Sequence, residues 1–531
     1  MTSLAMEGSK YHFIIFLIFK VKFCVGIMVQ VVNQKTFDGI SPIDLMEATY
    51  KAAENFQIRA FFEAKDEILK IGKYSEQEFY EILDAMINAE TERKLVLDKM
   101  QGLEPLFLGE IAEKIKEFPA DNVIRDVIYL KEQGYVEEQV EVKTKMVTKK
   151  IKGEEKEVEV KEYFYRYQAK ELPDDFSETY FEPVSIVFEA GACCNCGWCS
   201  AICPVNALTV SADELKLDED SCMKCGLCFT VCPRSFSIDR ANEAIKKLDK
   251  NLNWSDKIGA YINTYSGSTK KDEIIKVRQD GGVVTSIAEY LLKNKLVDAI
   301  IAVQHSKDLW KPEPVIVDDV KDLYKTAGTK YANSPSLSIM DQAKKYDKIA
   351  FVGVPCMMKA LEKGTLYPSG LPFFKNIKYK IGLFCMESFP YEGIIRLAKE
   401  QFDKDINELT KMNIGGGKFI INLKSGEQMD VPLKDVQQYA RDSCHFCEDL
   451  TSDYADFSVG SIGSQDGWSS VITRTPEADE LYNDIVKEGL IESKSLKEVK
   501  PGQFLVEKIG GIKRNKCKPV ELKKPNEEAG D

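Results

Sequence analysis

The chain has 531 residues, with 85 acidic and 72 basic side chains and a formal net charge of −13. That length calls for about three or four domains, and the acidic balance argues against a general nucleic-acid binder. Only three histidines are present (His12, His305, His445), which leaves little room for histidine acid–base or histidine-ligated metal chemistry.

Residues 1–36 read as an N-terminal extension. Phe13 to Phe19 is apolar, Lys20 and Lys22 interrupt it, and Val25 to Val32 is apolar again. An uninterrupted membrane span needs about 20 apolar residues. The favoured reading makes Met28 the true start and residues 1–27 an upstream miscall; a weak membrane anchor or a signal peptide is the alternative. No other segment has the length and apolarity of a span.

Residues 37–180 are expected to form a helical and winged-helix-like domain. Ser41-Pro42 starts a helix with Asp44 at N3. Ser75 and Glu78 form a capping box ahead of Phe79, Ile82, Leu83 and Met86. A third helix is expected over about Leu108 to Phe118. A fourth runs from Asp121 to Gln133, with Val123, Ile124, Val127, Ile128 and Leu130 as its stripe and Gly134 as its stop. Alternating runs around Val140–Val142 and Val158–Val160, with Gly153 between them, complete a helix–helix–hairpin order. The presumptive recognition helix sets Asp121, Asp126 and Glu132 against Arg125 and Lys131, so it lacks the basic face that phosphate contacts need. The hairpin mixes Lys143, Lys145, Lys149, Lys150, Lys152 and Lys156 with Glu154, Glu155, Glu157 and Glu159. Protein docking or a structural role is the favoured reading, and DNA binding is the minor one.

Residues 184–240 hold two runs of C-x2-C-x2-C-x3-C-P: Cys193, Cys196, Cys199, Cys203-Pro204, then Cys222, Cys225, Cys228, Cys232-Pro233. Three closely spaced thiolates wrap one face of a cubane cluster, and the fourth crosses to the other cluster. One [4Fe–4S] cluster is therefore assigned to Cys193, Cys196, Cys199 and Cys232, and the second to Cys222, Cys225, Cys228 and Cys203. Zinc rarely uses this triple spacing. Cysteines in cluster spacing fit a reducing cytoplasm better than a disulfide scaffold. A polar linker is expected over Lys246 to Asn253.

From 257 to about 503 the pattern becomes α/β. Val297 to Val303, Ile349 to Val354 and Ile381 to Phe384 read as buried strands, Val283 to Lys293 as a helix, and Lys418–Lys424 with Glu427–Val431 as an inserted hairpin. Residues 504–531 read as a tail, polar and mobile after Lys513. The expected fold class is thus α+β multidomain: a helical/winged-helix region, a bacterial-type 2[4Fe–4S] ferredoxin domain and a C-terminal α/β flavin domain.

Cys356 and Cys385 sit at strand ends, where ligands of open α/β sheets bind. Cys356 follows one strand and Cys385 another, and Cys444 and Cys447 add a C-x2-C pair. On spacing alone, a further cluster stands beside buried cysteines with a Cys444–Cys447 redox disulfide. Gly281-Gly282 opens the helix Val283–Lys293, with Thr285 and Ser286 in its first turn; a pyrophosphate site stands beside a plain tight turn. Gly460, Gly463 and Gly467, with Ser464 and Trp468, make a second small-residue loop.

These residues together resemble the coenzyme F420 hydrogenase/dehydrogenase beta-subunit family. The matching segments are Asp280–Ser286, Gly328–Tyr331, Gly353–Cys356, Gly382–Cys385, Cys444–Cys447 and Asp456–Thr475, all within 257–503. With the ferredoxin module in front, the layout is similar to electron-input subunits of F420H2 dehydrogenases and to the input half of the coenzyme F420-dependent sulfite reductase. The resemblance implies FAD near Gly281, Gly282, Thr285, Ser286, Lys330 and Tyr331, and a third cluster on Cys356, Cys385, Cys444 and Cys447. Asp280 stands where serine is usual, and Met357 where glutamine is usual. The resemblance implies a coenzyme F420-dependent dehydrogenase that is cytoplasmic, or peripheral to a membrane-bound complex. Electrons would pass between coenzyme F420 and ferredoxin or another redox subunit through FAD and three clusters, in a direction that the sequence leaves open. Lys330, Arg278 and Lys359 are candidates to meet the anionic groups of coenzyme F420. The alternatives are an electron-transfer subunit that binds no coenzyme F420 and a DNA-binding redox sensor.

Overall fold

The computed structural model describes residues 37, 39–151, 154–173, 181–367, 371 and 373–522, so the readings for residues 1–36 lie outside the described residues. Among the described residues no helix is long and apolar enough to cross a membrane.

Six helices come first: Pro42–Ala53, Phe56–Glu63, Lys65–Ile71, Glu76–Met100, Leu108–Lys114 and Ala120–Glu132. Their starts follow from local chemistry. The Ser41 hydroxyl accepts from the Asp44 amide, with Pro42 at the first helical position. The capping box is reciprocal: Ser75 Oγ accepts from Glu78 N at 3.2 Å, and Glu78 Oε2 from Ser75 N at 2.8 Å. The third expected helix stops at Lys114 rather than Phe118. Phe61 and Phe79 stack at 5.0 Å and centre this core.

The strands β1 (Val136–Ile151) and β2 (Glu154–Ala169) form one long antiparallel hairpin in unbroken register. The presumptive recognition helix has no free reading face. Residues Val123 to Leu130 are all buried, Tyr129 meets Phe181, Phe236 and Tyr367 edge-on or tilted, and Arg125 is held by Asp126 and Glu92. A helix packed on every side cannot enter a DNA groove.

The cysteine-rich unit contains β3 (Leu208–Val210), β4 (Leu215–Leu217) and two short helices, Trp198–Ile202 and Leu227–Thr230. Its two halves repeat their backbone. Asn195 and Lys224 have φ of 48° and 55°, and Gly197 and Gly226 have φ of 86° and 72°. These left-handed turns fold each cysteine run back on itself; glycine adopts that conformation at little cost. The expected linker starts too early, because Lys246 to Leu248 close a helix from Asp239.

Past the small hairpin β5 (Asn253–Ser255) and β6 (Gly259–Tyr261) lies an eight-stranded mixed sheet. It comprises β7 (Asn263–Thr269), β8 (Ala299–His305), β9 (Pro312–Val317), β10 (Ile349–Gly353), β11 (Ile377–Leu383), β15 (Phe457–Gly460), β16 (Ser469–Thr473) and β17 (Ile491–Ser495). The order across the sheet is β17-β7-β16-β15-β11-β10-β8-β9. The four strands β8, β10, β11 and β15 are parallel, and antiparallel strands flank them. Between β11 and β15 a separate sheet is inserted, with β12 (Leu409–Gly415), β13 (Lys418–Leu423) and β14 (Gln428–Pro432). The expected hairpin is two of its strands; the alternation of β12 is broken at Thr410-Lys411, where the register shifts, and this hides it in the sequence.

The tail reading fails over its first part. Gly502–Lys516 is a helix whose Val506, Gly510 and Lys513 are buried. Gly510 packs so closely on the Lys257 carbonyl that a Cβ would not fit. Residues 523–531 lie outside the described residues.

Candidate redox site

The parallel strands deliver their C-terminal ends to one edge. His305 closes β8, Cys356 opens the helix Pro355–Leu366 after β10, Cys385 follows β11, and the loop 461–468 follows β15. The cysteine-rich unit is clamped onto this edge. The Leu337 amide donates to the Cys196 carbonyl at 2.9 Å, and Arg441 Nη1 donates to the Cys194 carbonyl at 2.9 Å. Lys363 Nζ donates to the carbonyls of Cys232 at 2.8 Å and Phe236 at 2.9 Å. From the opposite side, the Tyr74 hydroxyl donates to the Ile202 carbonyl at 2.8 Å and Gln57 Nε2 to the Phe181 carbonyl at 2.9 Å.

Two cavities open inside the cysteine-rich unit. One is lined by Cys203, Cys222, Cys225 and Cys228. The other is lined by Cys193, Cys196, Cys199 and Cys232, with Cys194 on its wall. Each cavity thus takes three thiols from one run and the fourth from the other, a donor set that fits a cubane cluster.

Cys356, Cys385, Cys444 and Cys447 gather beside them. Burial pushes the Cys385 thiol up to about 12; Lys513 opposes that rise, while Cys444 and Cys447 add to it. Cys447 is likewise a close charged neighbour of Cys356. The backbone is fixed independently of these thiols, since the Cys385 amide donates to the Leu450 carbonyl at 2.9 Å and Lys513 donates to the Cys385 carbonyl. Arg234 is buried beside Cys447, Cys194 and Cys356, and its Nε has no hydrogen-bond partner among the described residues. A buried, incompletely satisfied guanidinium against these three thiols fits an anionic cluster in that space.

Cys194 lies outside both spacings, yet it joins the sets. It is buried, with the Cys196 thiol as a neighbour on one side and the Cys356 thiol on the other. Because it lines a cavity without completing a ligand set, Cys194→Ala is expected to leave all the iron of the cysteine-rich unit in place. Iron and sulfide assays check this, and loss of a cluster would mean that the ligand register is misassigned.

The expected flavin residues fall into two groups. Gly281 spends its backbone on the sheet: its amide donates to Ser469 Oγ at 3.0 Å, and its carbonyl accepts from Thr269 N at 2.7 Å. A Cβ there would collide with the Gly267 carbonyl and the Ser469 backbone. Gly282 turns the chain into its helix at φ 71°. Thr285 and Ser286 are buried, and the Ser286 hydroxyl donates to Thr269 Oγ1 at 2.8 Å. Close approach at Gly281 is therefore to neighbouring strands. The second small-residue loop converges on the same place. Arg278 Nη1 donates to Ser268 Oγ at 2.9 Å, and Ser268 Oγ donates to the Gly467 carbonyl at 2.8 Å.

Lys330 and Tyr331 form the other group, where several titratable side chains are perturbed. Burial lowers the Lys330 amine to about 8, while its Nζ donates to the carbonyls of Thr326, Ala327 and Gly328 at 2.6, 2.8 and 3.1 Å. Burial and the Lys330 charge hold His305 down to about 4, so it is neutral at pH 7. Burial raises Tyr331, with the Asp280 carboxylate adding to the rise, and burial raises Asp280 itself. His305 Nδ1 and Trp310 Nε1 are buried without a partner among the described residues. Such a cluster of perturbed groups with orphaned donors fits a bound polar ligand. It also lies close to the thiols: Phe389 N donates to the Tyr331 carbonyl at 3.1 Å, and Ser388 N donates to Cys444 Sγ at 3.4 Å.

Lys359 is removed from the ligand candidates. It is ion-paired with Asp239 and, at 3.9 Å, with Glu448, which ties the Asp239–Leu248 helix to the sheet. Lys363, Lys513 and Arg234 were missed, because a buried cation leaves no spacing signal.

Comparison with known proteins bears on the same segments. Two families, described as the N-terminal and the C-terminal parts of the Coenzyme F420 hydrogenase/dehydrogenase beta subunit, match residues 264–341 and 346–499 respectively. Residues 192–236 match the 4Fe-4S dicluster domain. Among curated relatives, the coenzyme F420 hydrogenase subunit beta of Methanosarcina barkeri is 35% identical over 272 residues, 50% of this chain and 94% of that one. A subunit of the F(420)H(2) dehydrogenase of Methanosarcina mazei is 35% identical over 341 residues, 62% of this chain and 92% of that one. A chain of the F420-reducing [NiFe] hydrogenase complex from M. barkeri has 34% identity and a TM-score of 0.49, over 50% of this chain and 92% of its own.

Proposed function

Because the chain belongs to the coenzyme F420 hydrogenase/dehydrogenase beta-subunit family, we propose that it passes electrons between coenzyme F420 and a one-electron redox partner, using FAD and three [4Fe–4S] clusters. FAD, when bound, exchanges an electron pair with the hydride carrier and single electrons with clusters. One observation carries this reading: the cysteines form a continuous series of neighbours, each buried or partly buried. Cys385 neighbours Cys444 and Cys447, Cys447 neighbours Cys356, Cys356 neighbours Cys194, Cys194 neighbours Cys196, and Cys199 neighbours Cys228 of the next set. The residues hold the donor sets at close range and shield them from water, and no side chain is required as a nucleophile.

We assign the flavin to the edge between the Gly281–Ser286 turn and the Lys330–Tyr331 segment. There the start of the helix Val283–Lys293 and Arg278 favour an anionic group, and Lys330 supplies positive charge. A redox subunit of a larger complex, or a ferredoxin, is the partner class, and units 37–180, 184–240 and 257–503 are the proposed modules. Flavin and iron analysis of anaerobically reconstituted protein tests the cofactor set. One FAD and about twelve irons per chain are expected for three cubanes. Full iron with no flavin site would favour the relay subunit that binds no coenzyme F420.

A pH dependence follows from Lys330. Its amine is charged below about 8 and loses its proton as the pH rises through that value. Flavin or coenzyme F420 affinity is therefore expected to weaken above pH 8, and Lys330→Arg should flatten the fall. Titration calorimetry at pH 7 and pH 9 checks it; equal affinity at both would remove Lys330 from the site.

A further inference from the structure

Lys363 is fully buried, on the helix that Cys356 opens. Its ammonium reaches three acceptors: the Cys232 carbonyl at 2.8 Å, Ser235 Oγ at 2.6 Å and the Phe236 carbonyl at 2.9 Å. Both carbonyls can only accept. The single hydrogen of the Ser235 hydroxyl has two carbonyl acceptors, Phe229 at 2.6 Å and Cys232 at 3.0 Å, which leaves Ser235 Oγ to accept from the lysine. Three acceptors need three hydrogens, which the ammonium has and the neutral amine lacks. Two partly buried lysines nearby have carboxylates, Lys359 with Asp239 and Glu448 and Lys380 with Glu362, whereas Lys513, the other buried lysine, sits against the thiols of Cys447 and Cys385. Among the described residues no carboxylate pairs with Lys363. An unpaired buried charge is costly, so a counter-charge belongs beside it. The neighbour is the cavity lined by Cys193, Cys196, Cys199 and Cys232. A cubane on four thiolates carries net negative charge, which grows by one when it is reduced.

We propose that Lys363 is a potential-setting residue: its ammonium is the counter-charge of the cluster on Cys193, Cys196, Cys199 and Cys232, and it raises that cluster's reduction potential. The inference rests on the proposed cluster at those four cysteines. Reduction takes up one electron and no proton, because the lysine is already charged. At short range in a low-dielectric interior, a fixed cation favours the more negative, reduced state. Lys363 thereby makes this cluster a better acceptor for electrons arriving through Cys194.

The test is a dithionite titration of the full-length, cluster-loaded protein, followed by electron paramagnetic resonance. The component to follow is the one whose g-values change in Cys232→Ser. In Lys363→Met and Lys363→Gln this component is expected to move negative by at least tenfold in the one-electron equilibrium, or about 59 mV. The other two components and the iron content should stay fixed, and Lys363→Arg should keep the wild-type potential. Neutral variants with full iron and an unmoved potential would overturn the proposal, as would an Arg variant that shifts as far as Met. If the neutral variants fail to assemble this cluster, Lys363→Arg decides alone: the wild-type potential supports the proposal, and a shifted potential or a lost cluster overturns it. Wild-type protein lacking iron at these cysteines would instead sink the parent reading, which the iron assay detects separately.

Discussion

Cys385→Ala is expected to remove roughly four irons per chain and to cut electron delivery beyond the flavin to near background, while reduction of the flavin itself proceeds at close to the wild-type rate. The separation follows from how the residue is held. Its backbone is fixed by the Leu450 carbonyl and by Lys513, whatever the side chain. The thiol alone faces Cys444 and Cys447. Alanine therefore deletes a ligand and leaves the strand end and the Lys330–Tyr331 segment in place. Stopped-flow absorbance resolves flavin bleaching from reduction of an added viologen. If flavin bleaching also fails while FAD stays bound, the proposed order of flavin and cluster is wrong.

The second large effect is on stability. Arg474 is 4% exposed and follows β16 into the heart of the sheet. Its Nε donates to Ser458 Oγ at 2.7 Å, its Nη1 to the carbonyls of Ile258 and Ala260 at 2.8 and 2.7 Å, and its Nη2 to Thr451 Oγ1 at 2.9 Å. Nη2 also pairs with Asp453 at 3.3 Å. Arg474→Leu fills part of the volume but strands these acceptors and half of the Asp453 pairing. Removing one member of a buried, hydrogen-bonded ion pair costs about 3–5 kcal/mol. Arg396→Leu is the matched comparison. Arg396 is 63% exposed in an i,i+4 pair with Glu400, and such a change is expected to stay within about 0.5 kcal/mol. Urea midpoints of the two variants, read by tryptophan fluorescence, should separate clearly; equal midpoints would mean that the Arg474 network contributes nothing net.

What the sequence made legible divides along physical lines. The grouping of the eight cysteines was readable because their spacing implies it, and each cavity is lined by three thiols of one run and one of the other. The helix Val283–Lys293 was readable to the residue, since Gly282 and an apolar stripe mark it. Gly281 shows the limit. A glycine reports that something approaches closely, and here the approaching groups are the Gly267 and Ser469 backbones. Lys359 was misread for a similar reason: its partner Asp239 lies 120 residues away, so no local pattern shows the ion pair. Lys363 and Lys513 were invisible because lysine is rarely buried, and burial here is set by the joining of units far apart in the chain. The helix Gly502–Lys516 reads as a tail in the sequence because its exposed Phe504 and its charges mask the buried positions Val506, Gly510 and Lys513.

The most direct test mixes anaerobically reconstituted, FAD-loaded protein with reduced coenzyme F420 and a viologen, and follows the return of the oxidised coenzyme's absorbance. Rapid oxidation, with the viologen reduced in step, is the expected result. No oxidation, with the flavin and all three clusters shown to be present, would contradict the account and leave another hydride carrier or a purely electron-relaying subunit in its place.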